Sequence, residues 1–593
     1  MFSLPDDSND FILKKRALRR QLLSDANSIF VPKRIAILGG STTHEFKDCL
    51  ELYLLECGIK ADFYQSEFDK YYEDSVFSNS ELNAFDPELV ILFISVANIK
   101  CWPGVRNSKE EVEQIASAEI KRYRTCWDKL FDRFSCPIVQ NNFELPSYRI
   151  LGNADCTDHR GGVRFVNTLN NKMAEEAGSS SGIYIHDLCY DAACYGLDRW
   201  HDRAAWHSYK LAFKIEATPF VAKSMANQIS ALFGRTRKCL VLDLDNTIWG
   251  GVIGDDGLGG IRLGPETAEG AAYIEFQQYI YQLHERGVLL AVCSKNENHN
   301  ALSGLRHPEG VIRPENFACI IANWESKSDN IKKIAQSLNI GLDSLVFVDD
   351  NPVERDIVRK FNPQVVVPEV GDRVEEYRMK IDRAGYFDTL SVLDEDVNRT
   401  RMYIENSKRE VLAGSFDSYD DYLASLQMEA EIAPFREEYY DRIHQLINKT
   451  NQFNLTSKRC SREDVVGWSL DPEKITIFAR LADKFGDNGL TSVVIANIKG
   501  VVATVDLWLM SCRVIKRGLE FAMMEVLLRE CNDRGLIELR ATYKKSQKNI
   551  MVQNLLKDLG FSLQLKHEVG DTDWRLLISD EIRPPIHKIK VNP

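Results

Sequence analysis

Val241-Leu242-Asp243-Leu244-Asp245-Asn246-Thr247 is the stretch on which the reading of this chain turns. An apolar run delivers two aspartates, two positions apart, at the C-terminal end of a predicted strand. Side chains alternate along a strand, but the chain turns here, so both carboxylates can converge on one cation. Hard carboxylate oxygens suit Mg²⁺, which keeps waters and phosphate oxygens among its ligands. Three more segments of the same kind follow. Val292-Cys293-Ser294 ends a strand with a hydroxyl able to hold a phosphate oxygen. Lys327 follows the next strand and balances phosphate charge. Val346-Phe347-Val348-Asp349-Asp350-Asn351 ends a fourth strand with two further carboxylates. Strands alternating with helices predict a parallel sheet whose ligand crevice lies outside the carboxyl ends of its strands.

The chain around this core has 593 residues, enough for three or four domains at about 150 residues each. Hydrophobic residues make up 44% and charged residues 27%, an ordinary globular balance. A net charge of −13 argues against general nucleic-acid binding. No apolar run nears the ~18–20 residues of a membrane span; the longest, 89–97, reads as a buried strand. Asp6, Asp7 and Asp10 precede the basic stretch and no apolar segment follows, so no secretory leader is expected. The fourteen cysteines contain no CxxC pair, so free, mostly buried thiols in a reducing, cytoplasmic setting are expected.

Five zones are predicted. Residues 1–32 form a basic amphipathic helix that either packs on its own fold or docks a partner. Residues 33–232 form an α/β domain, with strands at 34–38, 89–94 and 137–140 and a helix over 43–56. Residues 235–390 form a second α/β domain, with strands at 239–242, 288–292, 319–321 and 345–348 and helices starting near Ala268 and Asp329. A helical linker covers 391–432. Residues 433–593 are α+β, with strands at 475–479, 491–498, 501–509 and 537–541 and a helix over 518–533.

The four strand-end motifs resemble those of the haloacid dehalogenase (HAD) phosphotransferases. Neither the interval from Asp245 to Ser294 nor that from Ser294 to Lys327 holds a separate cap domain, so a doubly wound sheet without a large cap is expected. The longer match Asp243–Gly254, with Ser294-Lys295-Asn296, Asn323–Ser328 and Phe347–Pro352, resembles the FkbH family, as does Lys449-Thr450-Asn451-Gln452-Phe453-Asn454-Leu455-Thr456. The resemblance runs from about residue 30 to the end. It implies a glyceryl transferase/phosphatase that takes 1,3-bisphosphoglycerate, releases phosphate and loads glyceryl onto the pantetheine thiol of an acyl carrier protein for polyketide-type biosynthesis. By residue-wise carry-over, Asp243 is the nucleophile toward phosphorus and Asp245 the general acid/base. Thr247, Ser294 and Lys327 bind phosphate, and Asp243, Asp245, Asp349 and Asp350 hold Mg²⁺. A relay thiol is a further expectation, at Cys512 or Cys293. Cys293 faces away from Ser294 by strand alternation, and Cys512 ends a strand beside basic residues.

The C-terminal zone resembles the GNAT acyltransferases. Its loop Arg513-Val514-Ile515-Lys516-Arg517-Gly518 departs from their pattern by placing Lys516 at the first glycine. The resemblance implies a site for the phosphopantetheine arm of a carrier protein, or for CoA, at Arg513, Lys516, Arg517, Gly518 and Asn549. The carrier arm is expected in this region. Residues 33–232 resemble the SGNH hydrolases through Ser41, Asn98, Asp198 and His201, with His207 competing for the histidine role. Gly40 and Val96 depart from the pattern, so this site is expected to be degenerate. Rival readings are an acyl-CoA-dependent GNAT acyltransferase with a vestigial HAD region, and a non-catalytic carrier-protein scaffold.

Overall fold

A computed structural model describes residues 4, 8–24, 30–180, 182–450, 452–456, 458, 460, 462–546, 549–567, 570–578 and 586–592. The remainder of the predicted N-terminal zone, and Asn451, lie outside the described residues. The chain divides into two compact units, with the boundary between Arg235 and Thr236.

In the first unit, the strands Val31–Gly39 (β1), Ile59–Gln65 (β2), Leu89–Phe93 (β3), Ile138–Asn141 (β4) and Ile183–His186 (β5) form one parallel sheet in the order β2-β1-β3-β4-β5. This is a doubly wound order whose direction reverses between β1 and β3. β3 and β4 are buried throughout, as strands covered on both faces must be. Sequence reading missed β2 and β5, which are short and half polar. The helix Ser8–Ser24 packs on its own unit. Phe11, Leu18 and Leu22 enter the core under the helix His44–Glu56. Lys15 meets Glu45 at 2.5 Å and Asp48 at 3.0 Å.

The second unit holds two sheets. The strands Cys239–Leu242 (β6), Leu289–Ser294 (β7), Phe317–Ala322 (β8) and Leu345–Val348 (β9) form a parallel sheet in the order β8-β7-β6-β9. Its direction reverses between β6 and β9. Only the short helix Ile253–Asp256 and the helix Ala268–Glu285 lie between β6 and β7, and only the helix Asn298–Leu305 and a short turn lie between β7 and β8. There is no cap domain in either interval.

The other sheet has eight strands: Glu429–Ala433 (β10), Lys474–Asp483 (β11), Gly486–Lys499 (β12), Val502–Met510 (β13), Glu538–Tyr543 (β14), Ser562–Lys566 (β15), Thr572–Leu577 (β16) and Lys590–Asn592 (β17). Their order is β15-β16-β14-β13-β12-β11-β10-β17, antiparallel except at β13–β14 and β10–β17. The helix Leu519–Asp533 makes the crossover between the parallel pair, and this arrangement is GNAT-like. The linker helix Arg399–Ala413 joins the two sheets. Its Tyr403 enters the core of the β6–β9 sheet, and its Arg409 forms a double hydrogen bond to Asp483 of β11, at 2.8 and 2.7 Å.

Among the described residues no helix is long and apolar enough to cross a membrane. All fourteen cysteines are free. Six are buried rather than most of them, with six half-buried and two exposed.

Candidate active site

The point where the β6–β9 sheet reverses direction collects the charged residues. Asp243 follows β6, and its N–H donates to Val348 O of β9 at 3.0 Å. Asp349 and Asp350 follow β9. One carboxylate oxygen from each of Asp243, Asp349 and Asp350 lies within 4.8 Å of the others. Lys327 opens the helix Lys327–Ser337, and its Nζ sits 2.6 Å from Asp349 Oδ2 and 2.9 Å from Asp243 Oδ1. Ser294, 1% exposed, ends the neighbouring β7.

Three carboxylates face one ammonium group in a buried place, which leaves an excess of two negative charges. The electrostatics follow from that excess. Burial pushes Asp349 up to about 7; the charge of Asp243 adds to the effect and Lys327 opposes it. Asp350 is raised by burial and by Asp243. Burial works against the charge of Lys327, but Asp243 and Asp349 outweigh it and raise its pKa. The buried Asp243 Oδ1 is paired with the Lys327 ammonium at 2.9 Å. An oxygen-only set of three carboxylates that shares a single ammonium fits Mg²⁺.

Asp245 stands outside that cluster. Its Oδ1 accepts from the Trp249 indole at 2.9 Å and from Ile253 N–H at 3.1 Å, and its Oδ2 accepts from Asn296 at 3.0 Å. The expectation of a fourth metal carboxylate is therefore corrected: the side chain is held on one oxygen by the segment that follows it and on the other by Asn296 after β7. Thr247 also differs from expectation. Its fully buried hydroxyl accepts from Asp350 N–H at 3.2 Å and lies 3.4 Å from Asp350 Oδ1, so it braces the acidic turn. Trp249, Asn296 and Arg355 were not singled out from sequence. Arg355 donates to the carbonyls of Asp349 and Asp350 at 2.8 and 2.7 Å and fixes the turn from beneath. Trp249 and Asn296 lie inside the quoted motifs, whereas nothing local marks Arg355.

Neither candidate relay thiol stands in the cluster. Cys293 is fully buried in an apolar core, and burial raises its thiol pKa strongly. Its Sγ points to Lys327 O at 3.7 Å. Cys512 lies by the other end of the helix that Lys327 opens. Its carbonyl accepts from Asn339 at 2.9 Å, and its Sγ is 3.7 Å from the Tyr403 hydroxyl. At 1.5 Å per residue, the 11-residue helix between Lys327 and Asn339 is about 16 Å long.

The GNAT-like loop keeps a glycine-like backbone, with Arg513 and Arg517 turned inward and Lys516 exposed. Lys516 takes a φ of +66°, the conformation for which glycine is usual, and Gly518 takes +79°. Arg513 is buried, with Nε 3.2 Å from Ser511 Oγ and Nη1 against Met402 Sδ. Arg517 is buried on Asp483, Asn406 and Arg513 O at 3.1, 2.6 and 2.8 Å. Asn549 is fully buried; it donates to Asn454 O and Lys544 O and accepts from Ser546 N–H. The expected ligand contacts of Arg513, Arg517 and Asn549 are corrected: these side chains are committed within the fold.

In the first unit, Ser41 follows β1 and is 2% exposed, with no hydrogen-bond partner for its hydroxyl among the described residues. Asn98 donates to Gly40 O at 2.8 Å and accepts from Ser95 N–H at 3.0 Å. Asp198 and His207 are exposed, and the His201 ring is bonded to Leu145 O at 3.0 Å. Asp198 and His201 do not meet in a hydrogen bond. Glu144, unmarked in the sequence, is fully buried after β4 and is raised by burial to about 8.

A family described as FkbH, N-terminal domain, matches residues 34–230. No curated protein matches the chain. Among solved structures, the N-terminal part of the protein BF1531 from Bacteroides fragilis, containing a phosphatase domain complexed with Mg, is 28% identical. It covers 64% of this chain and 99% of its own, with a TM-score of 0.58. The ribosomal-protein-S18-alanine N-acetyltransferase from Escherichia coli is 14% identical over 26% of this chain and 99% of its own, with a TM-score of 0.21. Residues 34–230 therefore match the N-terminal domain of the FkbH family, and 64% of the chain is similar to a protein that contains a phosphatase domain complexed with Mg.

Proposed function

We propose that this protein is a Mg²⁺-dependent glyceryl transferase/phosphatase acting on 1,3-bisphosphoglycerate and an acyl carrier protein. The observation that carries the reading is the meeting of Asp243, Asp349, Asp350 and Lys327 at an uncapped strand-end crevice. An uncapped crevice admits a bulky partner such as a carrier protein.

When bound by Asp243, Asp349 and Asp350, Mg²⁺ would supply charge neutralisation for phosphate oxygens. Lys327 offsets the charge of the phosphoryl group, and Ser294 holds one of its oxygens. Asp243 attacks phosphorus and expels the alcohol oxygen. Asp245, held by Trp249 and Asn296, gives the leaving oxygen its proton and then takes one from the water that releases Asp243.

Atom balance separates two events. A glyceryl group carries neither phosphate of the substrate. The ester phosphate leaves by the Asp243 route. The acyl phosphate leaves when a thiolate attacks the carbonyl carbon, the C–S bond forming as the C–O bond to phosphate breaks. With Cys293 buried in the core and Cys512 at the far end of a helix, the thiol that attacks is that of the carrier itself.

The test incubates the protein with 1,3-bisphosphoglycerate, Mg²⁺ and pantetheinylated carrier protein. It reads phosphate and the carrier's mass. Two phosphates released per glyceryl loaded is the expected outcome. Loading of a group that keeps its ester phosphate would remove the phosphatase half of the reading. Loading from acyl-CoA instead would replace the reading with the acyltransferase alternative.

A further inference from the structure

The GNAT-like architecture implies a CoA or pantetheine site, and the place such an arm would need is the gap where β13 and β14 diverge. The two strands pair only from Val502↔Glu538 to Val505↔Ala541. Beyond Val505 the edge of β13 that faces β14 carries N–H and C=O groups that β14 does not pair. An extended amide-bearing ligand binds such an edge by adding itself as a strand.

In this chain the edge is already taken. The segment Phe453-Asn454-Leu455-Thr456 lies in the gap, with Asn454 bridged to Leu509 in antiparallel fashion. On the β13 side, Leu455 N–H donates to Trp508 O and Met510 N–H donates to Phe453 O, both at 3.0 Å. The Thr456 hydroxyl donates to Asp506 O at 2.9 Å, and Lys458 pairs with the Asp506 carboxylate at 2.5 Å. On the β14 side, Lys544 N–H donates to Leu455 O and the Asn549 amide donates to Asn454 O, both at 2.9 Å. Phe453 and Leu455 belong to the domain core, and Asn454 is fully buried. Displacing this segment would break every one of these bonds and expose two core side chains, so the segment is no mobile strap.

The adjoining loop agrees. Arg513 and Arg517 are spent on internal partners, and the Lys516 carbonyl accepts from the Tyr419 hydroxyl at 2.7 Å.

We infer that Phe453–Thr456 is the permanent internal occupant of the β13–β14 gap, and that the C-terminal domain therefore has no CoA or pantetheine site there. The Lys449–Thr456 motif thereby gains a physical role, which is to supply the strand that closes the sheet.

The test uses the full chain with two probes, CoA and free pantetheine. Calorimetric titration to millimolar probe should give no saturable heat. Hydrogen exchange at Leu455, Met510 and Lys544 should be slow and unchanged by either probe. Binding that leaves these amides protected would put the ligand outside the gap and uphold the assignment. Binding accompanied by their deprotection would overturn it. Two variants check the bonding: Asn549→Ala should speed exchange at Leu455 and Lys544, and the milder Thr456→Val should speed it at Leu455, each tenfold or more. Unchanged exchange in both would also overturn the assignment. None of these readouts requires phosphate turnover, so the outcome is separate from that of the phosphatase reading.

Discussion

The two parallel sheets of this protein reverse direction in the same way and diverge in chemistry at the same position. In the β6–β9 sheet, Asp243 N–H crosses the reversal point to Val348 O at 3.0 Å. In the β1–β5 sheet, Gly40 N–H crosses it to Phe93 O at 2.8 Å. Gly40 is thus the topological counterpart of Asp243. A side chain there is barred, because a Cβ on Gly40 would lie 2.5 Å from the Asn98 amide group. One sheet presents a carboxylate to its crevice, whereas the other closes its crevice with an asparagine bonded to the backbone. Reversal of strand order makes a crevice; the residue at the crossing decides whether chemistry follows.

The sharpest challenge to this contrast is Asp243→Asn. Phosphate release should fall about 10³-fold or more, with the fold intact by circular dichroism. EDTA should have the same effect on the unaltered chain. Undiminished release by the variant in EDTA would place the phosphatase chemistry elsewhere.

Lys327→Met should come next. Phosphate release should fall about 10²-fold, judged by the loss of one preorganised charge contact. Without Mg²⁺ the variant should also melt several degrees lower, because two buried carboxylates and the half-buried Asp350 then lack their cation. Added Mg²⁺ should raise its melting temperature more than that of the parent. Equal Mg²⁺ shifts in the two proteins would mean that Lys327 does not share the cation's site.

The quieter sheet offers a pH signature. Burial raises Glu144 to about 8, so between about pH 4.5 and 8 the folded chain keeps a proton that the unfolded chain gives up. Its favourable contribution is full below that window and is lost as pH rises through it. Glu144→Gln should flatten this decline and stabilise the first unit at pH 8 by on the order of 2 kcal/mol. Denaturant unfolding at pH 5 and pH 8 measures it, and equal slopes for parent and variant would disprove the burial argument.

The smallest expected effect is the one most able to break the contrast. Ser41→Ala should change glyceryl loading by less than about twofold, as expected of a residue outside the reacting atoms. A tenfold loss would mean that the crevice beside Gly40 works after all.

How far the sequence could be read depended on whether a residue's role was local. The strands ending in Asp243, Ser294 and Asp349 are continuous apolar runs, and their polar ends were plain. The Asp245 role was misjudged because its partners Trp249, Ile253 and Asn296 are supplied by the turn geometry after β6 and by β7, and spacing along the chain does not encode an indole aimed at a carboxylate. Arg513 and Arg517 read as an anion-binding loop because their partners lie far along the chain, Asp483 of β11 for Arg517 and Met402 of the linker helix for Arg513. The linker was read as helical, but its service to two sheets was not legible. Nor was the insertion of Phe453–Thr456 between β13 and β14, which depends on where two strands part.

The helix Arg399–Ala413 bears on how such a chain can be inherited. Tyr403 belongs to the core of one sheet, and Arg409, 1% exposed, is neutralised by Asp483 of the other. A recombination event that exchanged the C-terminal sheet for an unrelated one would strand a buried guanidinium without its carboxylate, a penalty of about 3–5 kcal/mol. An exchange of genes keeps that carboxylate only by passing on both sheets of residues 236–593 as one block.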